Sequence, residues 1–224
     1  MGSVVTLRHL LESGESPDTV DDPPHTVDDD DIPELLRTPL HYVCRNVDYP
    51  PRDHAACLIL LRDAGADLEA TDFLGYRPLH CAVRSGNVGL LSLLVQSGVN
   101  VDAALPGGST PLHLAVRKRA IDCIEVLLAA GASLTLRENH GRTPFGLALL
   151  RNYRRMWPLF LRAGAEIPIN ETRPYIVRVR NAGGFQRYAQ AHLARITAIL
   201  APTPRLPPEM VRKIVEFWLH AGFY

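Results

Sequence analysis

Apolar positions along this chain recur in a fixed rhythm. Large apolar pairs stand at Leu60-Leu61, Leu93-Leu94, Leu127-Leu128 and Phe160-Leu161, and each precedes a glycine, at Gly65, Gly98, Gly131 and Gly164, spaced thirty-three residues apart. Ahead of each pair lies a second phrase. It reads Thr38-Pro39-Leu40-His41, then Arg77-Pro78-Leu79-His80-Cys81-Ala82, then Thr110-Pro111-Leu112-His113-Leu114-Ala115, then Thr143-Pro144-Phe145-Gly146-Leu147-Ala148. Thr suits a helix N-cap, and Pro suits the first helical position, whose N–H lacks a partner in any case. Leu79 and Ala82, Leu112 and Ala115, Phe145 and Ala148 are three apart, which sets one large and one small residue on a common face. Leu90 to Leu94 and Ile121 to Leu128 supply the apolar surface of a second helix, and the glycine supplies the left-handed residue that ends it. The pattern predicts helix pairs, each with a face that only the next pair buries.

These phased units resemble ankyrin repeats, in which a Thr-Pro-Leu-His opening is followed by a Leu-Leu pair and then Gly-Ala-Asp or a relative of it. Here the relatives are Gly65-Ala66-Asp67, Gly98-Val99-Asn100, Gly131-Ala132-Ser133 and Gly164-Ala165-Glu166. The resemblance covers roughly residues 36–168 and implies an all-α solenoid of stacked helix-turn-helix units, with repeats at 36–70, 71–103, 104–136 and 137–168. Residues 1–17, with Leu7, Leu10 and Leu11 before Gly14, read as a degenerate N-terminal repeat. Six extra residues around Asn46 to Pro51 separate the helices of the first full repeat and fall in a loop. Beyond Ile167 the phrase is absent. Residues 169–203 read as a helical cap, with helices over Arg173 to Arg180 and Phe185 to Leu200, the latter amphipathic through Tyr188, Ala191, Leu193, Ile196, Ile199 and Leu200. Residues 204–224 read as a C-terminal amphipathic helix.

Composition narrows the class. The 224 residues are 46% hydrophobic, as in a soluble globular protein, and no run is long enough to cross a bilayer. The N-terminus lacks the charged head and apolar core of a secretory signal, so a cytoplasmic or nuclear address is expected. Met1 to Thr6 fits the loose myristoylation pattern on Gly2, for which an accidental glycine is the alternative. Formal net charge is zero, but its distribution is uneven. Asp18 to Glu34 holds eight acidic residues and three prolines, which reads as an acidic flexible loop over 18–35. Between Glu171 and Glu209 stand six arginines and no acid. Cys44, Cys57, Cys81 and Cys123 form no C-x-x-C pair and are expected to be reduced core residues.

Candidate chemistry favours binding. No nucleophile elbow, P-loop or His-Glu-x-x-His stands in the sequence, so no catalytic residue, cofactor or metal is expected. His41, His80 and His113 sit one repeat apart, about 10 Å from one another, too far to share an ion. In ankyrin-like arrays this His bridges the backbone of adjoining fingers. The fingers run from Asp67 to Tyr76, Asp102 to Ser109 and Leu136 to Arg142, and expose Phe73, Leu74, Tyr76, Arg137 and His140 as partner-binding candidates. Four residues past each His stand Arg45, Arg84 and Arg117, with Lys118 and Arg151 one position further on. On the concave side of such arrays they would form a basic ladder for a protein with an acidic segment; the alternative is a solvated helix end where Arg complements the helix dipole. Folding of the acidic loop over that ladder would block it, and deleting residues 18–34 would then raise affinity for acidic ligands. Nucleic acid is a weaker match, because net charge is zero and no stripe of Lys interleaved with aromatics appears. The expected protein is a monomeric interaction scaffold.

The tail offers a second class. Leu206-Pro207-Pro208-Glu209-Met210-Val211-Arg212-Lys213-Ile214-Val215 resembles the opening of an F-box, and an ankyrin array followed by an F-box-like, PRANC-like or SOCS-box-like helix implies an adaptor for a cullin-RING ubiquitin ligase through Skp1 or Elongin B/C. The alternative is a packing helix that closes the cap with Phe217 and Trp218. Lysines are confined to Lys118 and Lys213, which suits an adaptor that escapes its own ligase; codon bias explains it equally well.

Overall fold

The computed structural model describes residues 4–19, 37–45, 51–200, 207, 209, 210 and 213. Residues 1–3 with Gly2, the acidic stretch 20–36, the insertion residues 46–50, and most of the tail, including Leu206, Ile214 and Trp218, lie outside them. Every regular element among the described residues is helical, in agreement with the all-α expectation. Two compact units divide the chain, Met1–Ser133 and Leu134–Tyr224.

The first unit contains α1 (Val4–Glu12), α2 (Pro39–Arg45), α3 (Pro51–Asp63), α4 (Pro78–Ser85), α5 (Val88–Gln96), α6 (Pro111–Lys118) and α7 (Ile121–Ala129). Helices α2, α4 and α6 pack side by side in one row, and α1, α3, α5 and α7 in a second. Within each layer the two rows meet, α2 on α3, α4 on α5 and α6 on α7, which makes the unit a solenoid. The repeated apolar positions build this contact. Leu40, Leu58, Leu61, Leu79, Leu90, Leu91, Leu94, Leu112, Ile124 and Leu127 are buried almost completely, as are the small residues Ala82 and Ala115. Burying a side chain of that size contributes about 1.5–3 kcal/mol, so stacking holds the layers far more strongly than any single cap.

The second unit contains α8 (Pro144–Leu150), α9 (Trp157–Arg162), α10 (Pro174–Asn181) and α11 (Phe185–Leu200), with a 3-10 turn over Arg154–Met156 leading into α9. Pro158 falls in the first turn of α9, where its missing N–H is harmless. Phe145 of α8 meets Phe160 of α9 with ring centroids 5.7 Å apart. A chain of rings then links the remaining helices, from Trp157 to Tyr175 at 6.4 Å, to Tyr188 at 5.7 Å and to His192 at 5.7 Å. That chain corrects the expected face of α11. Phe185 and Tyr188 are buried, but Ala191 and Leu193 face solvent, because stacking of His192 on Tyr188 draws a polar residue into the buried stripe. The side chains of Ile199 and Leu200 lie outside the described residues.

Candidate functional site

The opening phrase of each layer in the first unit ends in an imidazole that is spent on the fold. Nδ1 of His41, His80 and His113 accepts from the backbone N–H of Thr38, Arg77 and Thr110 at 3.2, 3.2 and 3.3 Å. An N–H can only donate, so Nδ1 is unprotonated and the ring proton sits on Nε2. In His41 and His80 that Nε2–H donates across to the carbonyls of Tyr76 and Ala103, each at 2.9 Å. Burial pushes the His80 imidazole down from its ordinary 6.5 to about 4, against the opposing pull of the Ala103 carbonyl. Burial lowers His41 as well. Both nitrogens of these two rings are therefore engaged as neutral imidazole, which leaves no lone pair for a metal.

The fingers are turns of one design. In the first, Asp72 N–H donates to Tyr76 O at 2.8 Å and Gly75 N–H to Asp72 O at 2.8 Å. The pattern returns thirty-three residues later between Leu105 and Ser109, and in the second unit between Glu138 and Arg142. Asp72 organises its finger. Its carboxylate is buried, accepts from the N–H of Leu74 at 3.0 Å and of Tyr76 at 2.8 Å, and lies 3.8 Å from the buried Arg37 guanidinium. Gly75 follows at φ 78°, and a Cβ there would come within 2.8 Å of the Pro106 ring on the next finger. Only glycine meets both the left-handed backbone and that close approach. Phe73 and Leu74 consequently stand out in water, 60% and 44% exposed.

Carboxylates also tie finger to finger. Asp18 accepts from the Asp67 N–H at 3.0 Å, Glu69 from the Asn100 N–H at 2.6 Å, and Asp102 from the Ser133 N–H at 2.8 Å. Glu69 and Asp102 keep the thirty-three-residue period, which is the signal by which they were findable in the sequence.

The expected site residues divide. Tyr76 is not a free tip: its ring is half-buried, edge-on to His80 at 6.0 Å, with the Arg84 guanidinium over its face at 5.4 Å. Phe73, Leu74, Tyr76 and Arg84 thus gather around one finger. Arg117 is exposed at the end of α6 and donates to Ser109 Oγ at 3.2 Å. Arg137, Arg151 and His140 belong to the second unit. Arg137 folds back on its own turn, donating to Gly141 O at 2.7 Å; His140 is exposed, and Arg151 is exposed at the C-cap of α8. Of the repeat-phrase residues, Thr110 and Thr143 cap their helices through their hydroxyls, while Pro39, Pro78, Pro111 and Pro144 occupy the first helical position. In the tail, Pro207, Glu209 and Met210 are exposed. Sequence reasoning gave no role to Arg37, Asp72 or Glu138, which are buried charges.

A family model described as Ankyrin repeats (3 copies) matches residues 2–104 and 51–138. No curated protein matches the chain.

Proposed function

Because the chain belongs to the ankyrin repeat family, whose repeats generally mediate protein–protein interaction without catalysis, we propose that it is a scaffold that grips a partner protein through the first finger and the neighbouring arginines. The observation that carries this reading is the pair Phe73 and Leu74, large apolar side chains held in water by a turn that a buried Asp72 keeps rigid. Apolar surface fixed in solvent gains free energy when covered and loses little conformational entropy in the process. Arg84 beside them and Arg117 at the end of α6 supply positive charge, which suits an acidic segment of the partner. Arg137, His140 and Arg151 are candidate contacts of the second unit taken by itself. A photo-crosslinker in place of the exposed Thr71, introduced in the source cell and present in both proteins compared, tests this. It should capture one protein, and F73D/L74D should weaken that capture at least tenfold; undiminished capture by the double variant removes the finger from the site.

A second reading concerns the tail, where Glu209 and Met210 are helical and exposed, Met210 by 48%, with Met210 N–H donating to Pro207 O at 2.9 Å. Those residues are free to meet a ligase adaptor of the Skp1 or Elongin B/C kind. A pull-down with purified Skp1 and Elongin B/C should recover the full chain and lose it on M210D; recovery of nothing ends the ligase reading.

A further inference from the structure

Gly146 is the one departure from His in the repeated phrase, and it leaves a space. In the layer opened by Pro78, the His80 ring runs from the Arg77 N–H to the carbonyl of Ala103, twenty-three residues on. The same interval from Gly146 ends at Ile169. Thr143, Gly146 and Ile169 all line one cleft of about 380 Å³, together with Phe145, Ile167 and Pro168. Apart from its chain neighbours and its own helix backbone, a Cβ built on Gly146 would meet one atom within 4 Å, Thr143 Oγ1 at 3.2 Å.

We propose that this cleft receives an imidazole ring from outside, the side chain of a histidine on a partner protein, standing where the chain's own sequence has none. The chemistry of the walls fits that ring. Thr143 Oγ1 accepts from the Gly146 N–H at 3.1 Å, which leaves its hydroxyl proton for an unprotonated ring nitrogen. Ile169 O accepts from Arg180 Nη1 at 2.9 Å and has a second lone pair for a ring N–H; the same guanidinium reaches Pro168 O at 3.5 Å. Phe145, Ile167 and Pro168 offer apolar surface to the ring faces. Charged groups at the lining are spoken for or mixed in sign. Arg137 is bonded to Gly141 O at 2.7 Å, Arg142 lies 3.8 Å from Glu138, and Glu166 brings a carboxylate, so the cleft is a poor anion trap. Ile169, 91% exposed, forms an apolar lip on which the partner backbone would rest.

This site is tested without any partner, so its failure leaves the Phe73 finger reading untouched, and failure of that reading leaves this one. Imidazole, and separately N-acetylhistidine methylamide, is titrated at pH 8 into the full chain and followed by amide chemical shifts. Both should give saturable shifts at Gly146, Ile167 and Ile169, and Gly146→His, which fills the cleft from within, should abolish them. Thr143→Val keeps the shape and removes the hydroxyl; it should weaken imidazole binding at least threefold, and it serves if Gly146→His does not fold. The alanine counterpart of the peptide and phenol should give no saturable shifts there. The proposal is overturned by the absence of saturable shifts, by shifts that saturate elsewhere in the chain, by survival of binding in Gly146→His, or by phenol binding as tightly as imidazole.

Discussion

The layer opened by Pro78 in the first unit and the layer opened by Pro144 in the second start from nearly the same words and are fastened in different ways. In the former, a buried imidazole and a small hydroxyl residue tie the layer to its neighbours: His80 reaches Ala103 O, and Ser85 Oγ donates to Cys44 O at 2.8 Å. In the latter, the free carbonyls at the end of α8 are met by large, singular side chains. Trp157 Nε1 donates to Ala148 O at 3.3 Å, and Arg173 Nη2 donates to Leu149 O at 2.8 Å while its guanidinium lies over the Trp157 ring at 5.4 Å. Glu171, itself buried, holds Arg173 in that position. Repetition lets one residue type do a job many times; once it ends, each of these jobs falls to a side chain outside the repeated phrase.

The hardest test of that difference is Phe160→Ala, which empties a fully buried site against Phe145. It should cost about 3–5 kcal/mol. Amide exchange should rise across Leu134 to Leu200, while the protection of α4 to α6 serves as the internal comparison; equal loss in both would show that the two units share one stability. His80→Ala comes next, at about 2–4 kcal/mol by urea denaturation, since it leaves a cavity and strands the Arg77 N–H and the Ala103 carbonyl. Acid sharpens the same point. Folded His80 takes up its proton near pH 4 and the unfolded ring near 6.5, so the unfolded chain binds more protons between those values. Stability contributed by the neutral ring is complete above about pH 6.5 and drains away as pH falls toward 4. His41, lowered in the same sense, adds to that slope, and His80→Ala should flatten it. The smallest effect belongs to the shared element: Thr143→Ala and Thr110→Ala each remove a cap worth about 1 kcal/mol. Thr110→Ala should cost the more, because Thr110 also faces His113 Nδ1 at 2.9 Å.

Much of this was legible because it is periodic. Caps, terminating glycines and the apolar pairs follow from spacing alone, and so does the all-helical class. What escaped depends on contacts far apart in the chain. Nothing in the sequence marks Arg37 until Asp72 is brought against it, and Tyr76 reads as a tip residue until Arg84 covers it. The stripe of α11 was misjudged because apolar character alone selected Ala191 and Leu193, whereas ring stacking selected His192. Gly146 was visible as a departure from the phrase. The cleft it opens became visible only when Ile167 to Ile169 came round to face it.

Three of the four thiols are reporters already installed. Cys44, Cys81 and Cys123 lie in successive layers, buried and unpaired. Burial drives the Cys81 and Cys123 thiols up to about 11 and Cys44 higher than its ordinary value, so at neutral pH all three stay protonated and slow to react. An alkylating reagent therefore labels each only when its own layer opens, and mass spectrometry of the labelled peptides would time the unzipping of the stack without a single engineered residue.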